Sequence, residues 1–261
     1  MNKEEYLRNV RAHRNLDILD FPHKMINFYV LCEILHFQRR SPGCRSTVGQ
    51  LLDVGCGTGH LLKKVLALGW DAQGVDPFPR GEATRFPLCN RIIKGTVADI
   101  HTDCFNIITA VELIEHVENY MALLKGISNL LHPAGEVIVT VPYNWEFRVR
   151  MTDTCKLEPM YGHLWKFDAA GLLNDLKLFF DEVKVEPIYS RTMDRRLLRI
   201  TRLLPLKLGQ MLSGVLVKNH QDGGWLMAVA KKKKKQRSVN LTAVSKASAA
   251  YYKDSPKFSC T

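Results

Sequence analysis

The sequence predicts an α/β fold, a doubly wound, seven-stranded sheet covered by helices on both faces, and two observations predict it. From residue 50 onward, short continuous apolar runs alternate with amphipathic segments. That is the pattern of mostly parallel strands buried on both sides. A glycine-rich stretch, Asp53-Val-Gly55-Cys-Gly57-Thr-Gly59, joins the first apolar run to the first amphipathic one, as a tight strand-to-helix turn requires.

Residues 4–14 and 23–38 carry apolar side chains at helical spacing, giving N-terminal helices within a cap over 1–45 that Pro42 and Gly43 interrupt. Strands are predicted at 50–54, 72–76, 91–94, 105–110 and 136–141, with helices over 58–68 and 118–131. His132-Pro-Ala-Gly135 supplies a helix stop and a turn before the fifth strand. A helix over 168–178 precedes two further strands, at 181–189 and 224–230. Between those strands lies a helical insert, 191–220, with Arg195, Arg196, Arg199 and Arg202 on one side and Leu197, Leu198, Ile200 and Leu203 on the other. The domain is thus expected to run from 1 to 230. Residues 231–261 begin with five lysines and continue rich in Ser, Ala and Thr, a composition too poor in apolar surface to fold, so a disordered basic tail is expected.

With 261 residues, 46% hydrophobic and 24% charged, the chain can bury one substantial core. No apolar run is long enough to cross a bilayer or follows a basic head as in a secretory signal. The 7 cysteines are odd in number, scattered and without a C-x-x-C pair, which argues for reduced thiols in a cytoplasmic protein and against a zinc or disulfide framework. The formal charge of +11 is local: 231–261 carries nine Lys or Arg against Asp254, and 191–218 seven against Asp194. The rest is slightly acidic.

The glycine spacing discriminates between cofactors. A dinucleotide turn reads G-x-G-x-x-G and aims a helix N-terminus at a pyrophosphate, whereas Gly55, Gly57 and Gly59 alternate behind Asp53. S-adenosylmethionine (SAM) has no phosphate but carries an ammonium and a sulfonium, which an acidic strand end suits, and Asp53 is the candidate charge complement. Asp76, in Gly74-Val-Asp76-Pro77, ends the second strand about 20 residues on, where a carboxylate accepts bonds from ribose hydroxyls. After the third strand, Asp99 is the candidate acceptor for an adenine amino group and Ile100 the candidate surface for its ring; Val111 completes the cofactor contacts at the end of the fourth strand. The competing reading is that these glycines only shape a tight turn.

Glu112, Glu115 and His116 follow the fourth strand at i, i+3 and i+4, a spacing that puts them on one helical face. Methyl transfer from a sulfonium needs mainly an aligned nucleophile and somewhere for its proton to go. His116 is the candidate base, since an imidazole accepts a proton at physiological pH. The alternative is that the two glutamates complement a helix N-terminus while His116 lines the pocket. In Gly162-His163-Leu-Trp-Lys-Phe167, His163 reads either as a second base or as a packed residue beside Trp165 and Phe167. Pro142-Tyr-Asn144-Trp145-Glu-Phe147 offers aromatic surface for a flat acceptor, or core packing.

Residues 50–142, with these motifs, resemble the class I SAM-dependent methyltransferases, most nearly the ubiquinone-biosynthesis type of O-methyltransferase. The resemblance implies a Rossmann-like methyltransferase fold whose last strand runs antiparallel, with SAM over the ends of strands one to four and the 162–167 segment closing over the substrate. Glu-x-x-Glu-His also resembles metal-binding positions in those enzymes and in small-RNA 2′-O-methyltransferases. That implies Glu112, Glu115 and His116 as ligands of Mg2+ or Mn2+, with His163 as a further one. The function expected is SAM-dependent methylation of a hydroxyl on a small-molecule, lipid or quinone-like acceptor. The alternatives are an RNA ribose 2′-O-methyltransferase and a catalytically silent SAM-binding interaction protein. The cationic insert 191–218 reads as a peripheral membrane contact or a lid with a solvated basic face. The 231–237 run reads as a nucleic-acid contact or, by preference, a solubilising tail.

Overall fold

A computed structural model describes residues 21–41, 49–102, 104–143, 163–190 and 223–232. The elements in chain order are α1 (Phe21–Arg40), β1 (Gln50–Val54), α2 (His60–Ala67), β2 (Asp71–Asp76), β3 (Ile92–Lys94), β4 (Phe105–Val111), α3 (Tyr120–Leu130), β5 (Leu131–Pro142), α4 (Ala169–Lys177), β6 (Phe180–Ser190) and β7 (Gly223–Lys232). They build a 7-stranded sheet in the order β3-β2-β1-β4-β5-β7-β6. β7 pairs antiparallel with both its neighbours, and the pairs from β3 to β5 are parallel. The chain therefore winds outward in two directions from β1, and the carboxyl ends of β1, β2 and β4 meet along one edge.

Strand alternation explains the two layers. Leu51, Ile107 and Ile138 face one side, against α1 and α2. Leu52, Ile108, Val137 and Val139 face the other, against α3 and α4. In α1, Ile26, Val30, Ile34 and Phe37 recur every three or four residues and are all buried, which seats the helix on the first layer. Each such side chain, withdrawn from water, contributes about 1.5–3 kcal/mol. Arg40 at the end of α1 reaches Glu136 on β5 at 3.0 Å.

The predicted strands all form, and the boundaries differ where local chemistry intervenes. β5 begins at Leu131, so His132-Pro-Ala-Gly135 lies in an irregular first stretch of the strand, with a register break between Phe105 and Ile107 on β4. The helix predicted at 118–131 begins at Tyr120, because the Asn119 side chain accepts from the Ala122 amide at 3.0 Å and caps it. Ahead of it, Ile114–His116 is a 3₁₀ turn and Glu112 has φ 52°. Glu112, Glu115 and His116 therefore do not share an α-helical face. β7 continues through Lys231 and Lys232, so the first two lysines of the expected tail are sheet residues: Lys231 pairs with Glu182, and Lys232 donates to the Leu131 carbonyl. The helix expected at 4–14, the aromatic run from 144 to 147, Gly162, the insert 191–220 and residues 233–261 lie outside the described residues. Among the described residues no helix is long and apolar enough to cross a membrane.

Candidate functional site

The glycine turn lies where β1 hands over to α2. Gly55, Gly57 and Gly59 all have left-handed backbone, φ 72°, 52° and 77°. Two of them are also close approaches: a Cβ on Gly55 would lie 2.7 Å from Leu113 Cδ1, and one on Gly59 2.6 Å from Leu88 Cδ2. A Cβ on Gly57 would meet only the Gly55 carbonyl at 3.9 Å, so the turn is open at its apex. The turn is fastened along both flanks. Gly55 donates to the Val75 carbonyl at 2.8 Å, while Arg80 and Ala83 donate to the carbonyls of Gly57 and Thr58, each at 3.1 Å.

Asp76, at the end of β2, closes the turn. Its Oδ2 accepts from the Gly57 amide at 2.9 Å and its Oδ1 from the Phe78 amide at 2.7 Å. Asp53, 3% exposed, sits at the end of β1 and accepts from the Thr109 hydroxyl of neighbouring β4 at 2.7 Å. Burial pushes its carboxyl up to about 7; the Thr109 bond opposes that shift and nearby Asp76 adds to it. Past β3, Asp99 Oδ2 accepts from the Thr96 amide at 2.8 Å and its hydroxyl at 3.1 Å, a reciprocal cap that holds the carboxyl below the usual range. Ile100 is 7% exposed and belongs to the core layer carrying α3, and Val111 packs partly buried against the opposite layer.

Beyond β4 the chain makes two separate arrangements of its acidic residues. Glu112 turns to the sheet: its amide donates to the Thr140 carbonyl and hydroxyl, each at 3.1 Å, its Oε1 accepts from the Thr140 hydroxyl at 3.2 Å, and its Oε2 from Trp225 Nε1 at 2.6 Å. Glu115, fully buried, turns to two histidines. Its Oε1 lies 3.9 Å from His116 Nε2, and the His116 and His163 rings meet edge-on with centroids 4.5 Å apart. Glu115, His116 and His163 each offer one ligating atom within 4.8 Å of the other two. Glu112 is not among them; its carboxylate is drawn off to Thr140 and Trp225.

Residues far apart in sequence assemble that trio. The amides of Leu164 and Trp165 both donate to the Glu115 carbonyl, at 2.7 and 3.2 Å, and Trp165 Nε1 donates to the Val117 carbonyl at 2.9 Å. Trp165 and Phe167 stack edge-on against Tyr120, at 5.2 and 5.3 Å between centroids, and the Tyr120 hydroxyl bonds Asp175 on α4 at 2.8 Å. His163 is thus held beside His116, next to an aromatic anchor of Trp165 and Phe167 on Tyr120. Thr109, Thr140 and Trp225 were not visible as site residues. Hydroxyls inside apolar strands were the only sign of the two threonines, and Trp225 reads simply as a core residue.

A family model described as a methyltransferase domain matches residues 23–179. Among curated proteins, a ubiquinone biosynthesis O-methyltransferase of Rhodopseudomonas palustris (strain BisB5) is 31% identical over 123 residues, covering 44% of this chain and 48% of that protein. The mitochondrial ubiquinone biosynthesis O-methyltransferase of Rattus norvegicus is 27% identical over 111 residues, 38% of this chain and 32% of that protein. The chain spans half or less of the length of these curated relatives. The structure of the plantazolicin methyltransferase BpumL, with a pentazolic desmethylPZN analog and SAH, superposes with TM-score 0.58 at 14% identity, covering 87% of this chain and 91% of that one. A Burkholderia thailandensis 1,6-didemethyltoxoflavin-N1-methyltransferase, with 1,6-didemethyltoxoflavin and S-adenosylhomocysteine bound, gives a TM-score of 0.52 at 18% identity, covering 90% of this chain and 92% of that one. At these identities the two structures share this chain's fold, a Rossmann-like sheet with the seventh strand reversed.

Proposed function

The chain belongs to the methyltransferase-domain family, and on that premise we propose that it transfers a methyl group from SAM to a hydroxyl of a small-molecule, lipid or quinone-like acceptor. One observation carries the reading: a turn of three alternate left-handed glycines is fastened to Asp76 at one strand end and backed by buried Asp53 at the next. The open apex at Gly57 admits a ligand to the backbone. An ionised Asp53 complements the positive ammonium and sulfonium. Each Asp76 oxygen already takes one amide donor, and a carboxylate oxygen accepts a second, which suits two ribose hydroxyls. Asp99 and Ile100 flank the adenine, and Val111 closes the strand end beneath it. The hydroxyl acceptor is supported by the names of the curated relatives.

In the transfer, an acceptor oxygen forms a bond to the methyl carbon as the carbon–sulfur bond breaks, leaving S-adenosylhomocysteine. His116 takes the hydroxyl proton, and the Glu115 carboxylate beside it favours the imidazolium that results. The same trio fits a divalent ion. Glu115, His116 and His163 would hold it, and one carboxylate with two imidazoles suits manganese better than magnesium. When bound, such an ion supplies Lewis acidity to a hydroxyl, and the two histidines then serve as ligands. A lipid acceptor would be met at a membrane surface by the cationic 191–218 segment. RNA is the second reading, but Lys231 and Lys232 of the basic run are engaged with Glu182 and Leu131 in the sheet.

SAM titrated calorimetrically is expected to bind the chain, and Asp76→Ala to weaken it at least tenfold. That variant removes two hydroxyl contacts at about 1 kcal/mol each and also frees the Gly57 amide; unchanged affinity would refute the ribose assignment. Methyl-labelled SAM incubated with fractionated extracts is expected to mark the lipid or small-molecule pool. Label in the RNA pool alone would transfer the conclusion to the second reading.

A further inference from the structure

Glu112 stands apart from the Glu115–His116–His163 trio, yet its carboxylate is tied at both oxygens to other strands. Its φ of 52° is left-handed backbone, which costs a non-glycine residue free energy and persists only where neighbours enforce it. The enforcement comes from two strands distant in sequence. The Thr140 hydroxyl accepts from the Glu112 amide and donates to the same residue's Oε1, closing a ring that fixes the side-chain torsions. Trp225 of β7, 1% exposed, donates its indole N–H to the other oxygen at 2.6 Å. Both donors are rigid and buried, so the carboxylate is held in one orientation.

Its position is bracketed from both sides. The next residue, Leu113, packs into the notch at Gly55 of the cofactor turn. Three and four residues on are Glu115 and His116, the acid–base side of the site. Along the chain this carboxylate stands between the residue that packs on the cofactor turn and the base, and a carboxylate recognises a hydrogen-bond donor. An anionic group at this edge would also meet Asp53, Asp76 and Glu115, which disfavours phosphate-bearing acceptors.

We propose that Thr140 and Trp225 are positioning residues for acceptor specificity, holding the Glu112 carboxylate as the hydrogen-bond acceptor for a hydroxyl on a neutral methyl acceptor. The inference rests on the methyltransferase reading above. It adds that Glu112 serves the acceptor and is not a ligand of the trio, and it assigns Thr140 and Trp225 a function beyond packing.

The test uses the full chain, methyl-labelled SAM and 4-methylcatechol as a neutral hydroxylated probe, with SAM affinity read separately by calorimetry. Trp225→Phe and Thr140→Val each remove one hydrogen bond to a charged group, and each is expected to raise KM for the probe about tenfold. SAM affinity is expected to stay within twofold and kcat within threefold. Thr140→Ser, which restores the hydroxyl, is expected to bring KM back to within twofold of wild type. A parallel fall in kcat and SAM affinity in both variants, with no recovery in Thr140→Ser, would mean that the network only holds the sheet together and would overturn the assignment. A wild-type chain that binds SAM but neither binds nor methylates the catechol overturns it as well. A wild-type chain that binds no SAM overturns the parent reading and this one together.

Discussion

Asp53 is a carboxyl whose chemistry is strongly displaced by its surroundings. An ordinary aspartate titrates near about 4; burial carries this one up to about 7. Between those values the unfolded chain releases a proton that the folded chain retains, so stability falls as pH rises from about 4 through about 7. Asp53→Asn removes this contribution. Wild type is therefore expected to lose stability between pH 5 and pH 8 relative to the variant, as urea midpoints at the two pH values would measure; parallel pH dependences would refute the assignment. On the proposed contact, bound SAM would reverse the preference, because its positive charge favours ionised Asp53. SAM affinity in the wild type is expected to rise between pH 6 and pH 8, and to be weaker and flatter in Asp53→Asn. The carboxylates at strand ends were legible in the sequence because a strand end beside a glycine turn leaves an acidic residue few other uses. The partners of Glu112 were not, because Thr140 and Trp225 lie 28 and 113 residues away and local spacing carries no trace of them.

Elements govern the metal question. The segment His163–Phe167 has no regular structure of its own and takes its place from bonds to the Glu115 and Val117 carbonyls and from the Tyr120 ring. His163→Ala deletes one of three candidate ligands while leaving Trp165 and Phe167 in place. Manganese affinity, read by the paramagnetic signal of the free ion, is expected to fall at least tenfold, while SAM affinity is unchanged. If neither the variant nor EDTA alters activity, the trio acts as an acid–base pair alone. Periodicity suggested one helix carrying Glu112, Glu115 and His116. The chain instead kinks at Glu112, whose left-handed φ of 52° is outside a helix, turns in a 3₁₀ arc over Ile114–His116, and starts α3 only at the Asn119 cap.

At the scale of the whole molecule, seven strands were legible because strands covered on both faces read as unbroken apolar runs, while their order came only with the structure. The end of the domain was less legible: lysines look like tail, yet the strand pairs of Lys231 with Glu136 and Asp181 continue the sheet. A chain ending after Lys232 keeps the proposed cofactor residues and the Glu115–His116–His163 trio. It is expected to melt within a few degrees of the full chain and to bind SAM equally. Ending instead at 222 is expected to abolish cooperative unfolding, which a thermal melt followed by circular dichroism distinguishes.

β7 inserts between β5 and β6, and β6 has it as sheet partner. During synthesis the first five strands can assemble as they leave the ribosome, but β6 must wait for the last strand to arrive. Trp225 travels on that strand. The carboxylate it secures is therefore among the last groups to be fixed, and on the proposed role of Glu112 a nascent chain holding its cofactor would still be unready for its acceptor until that strand had closed.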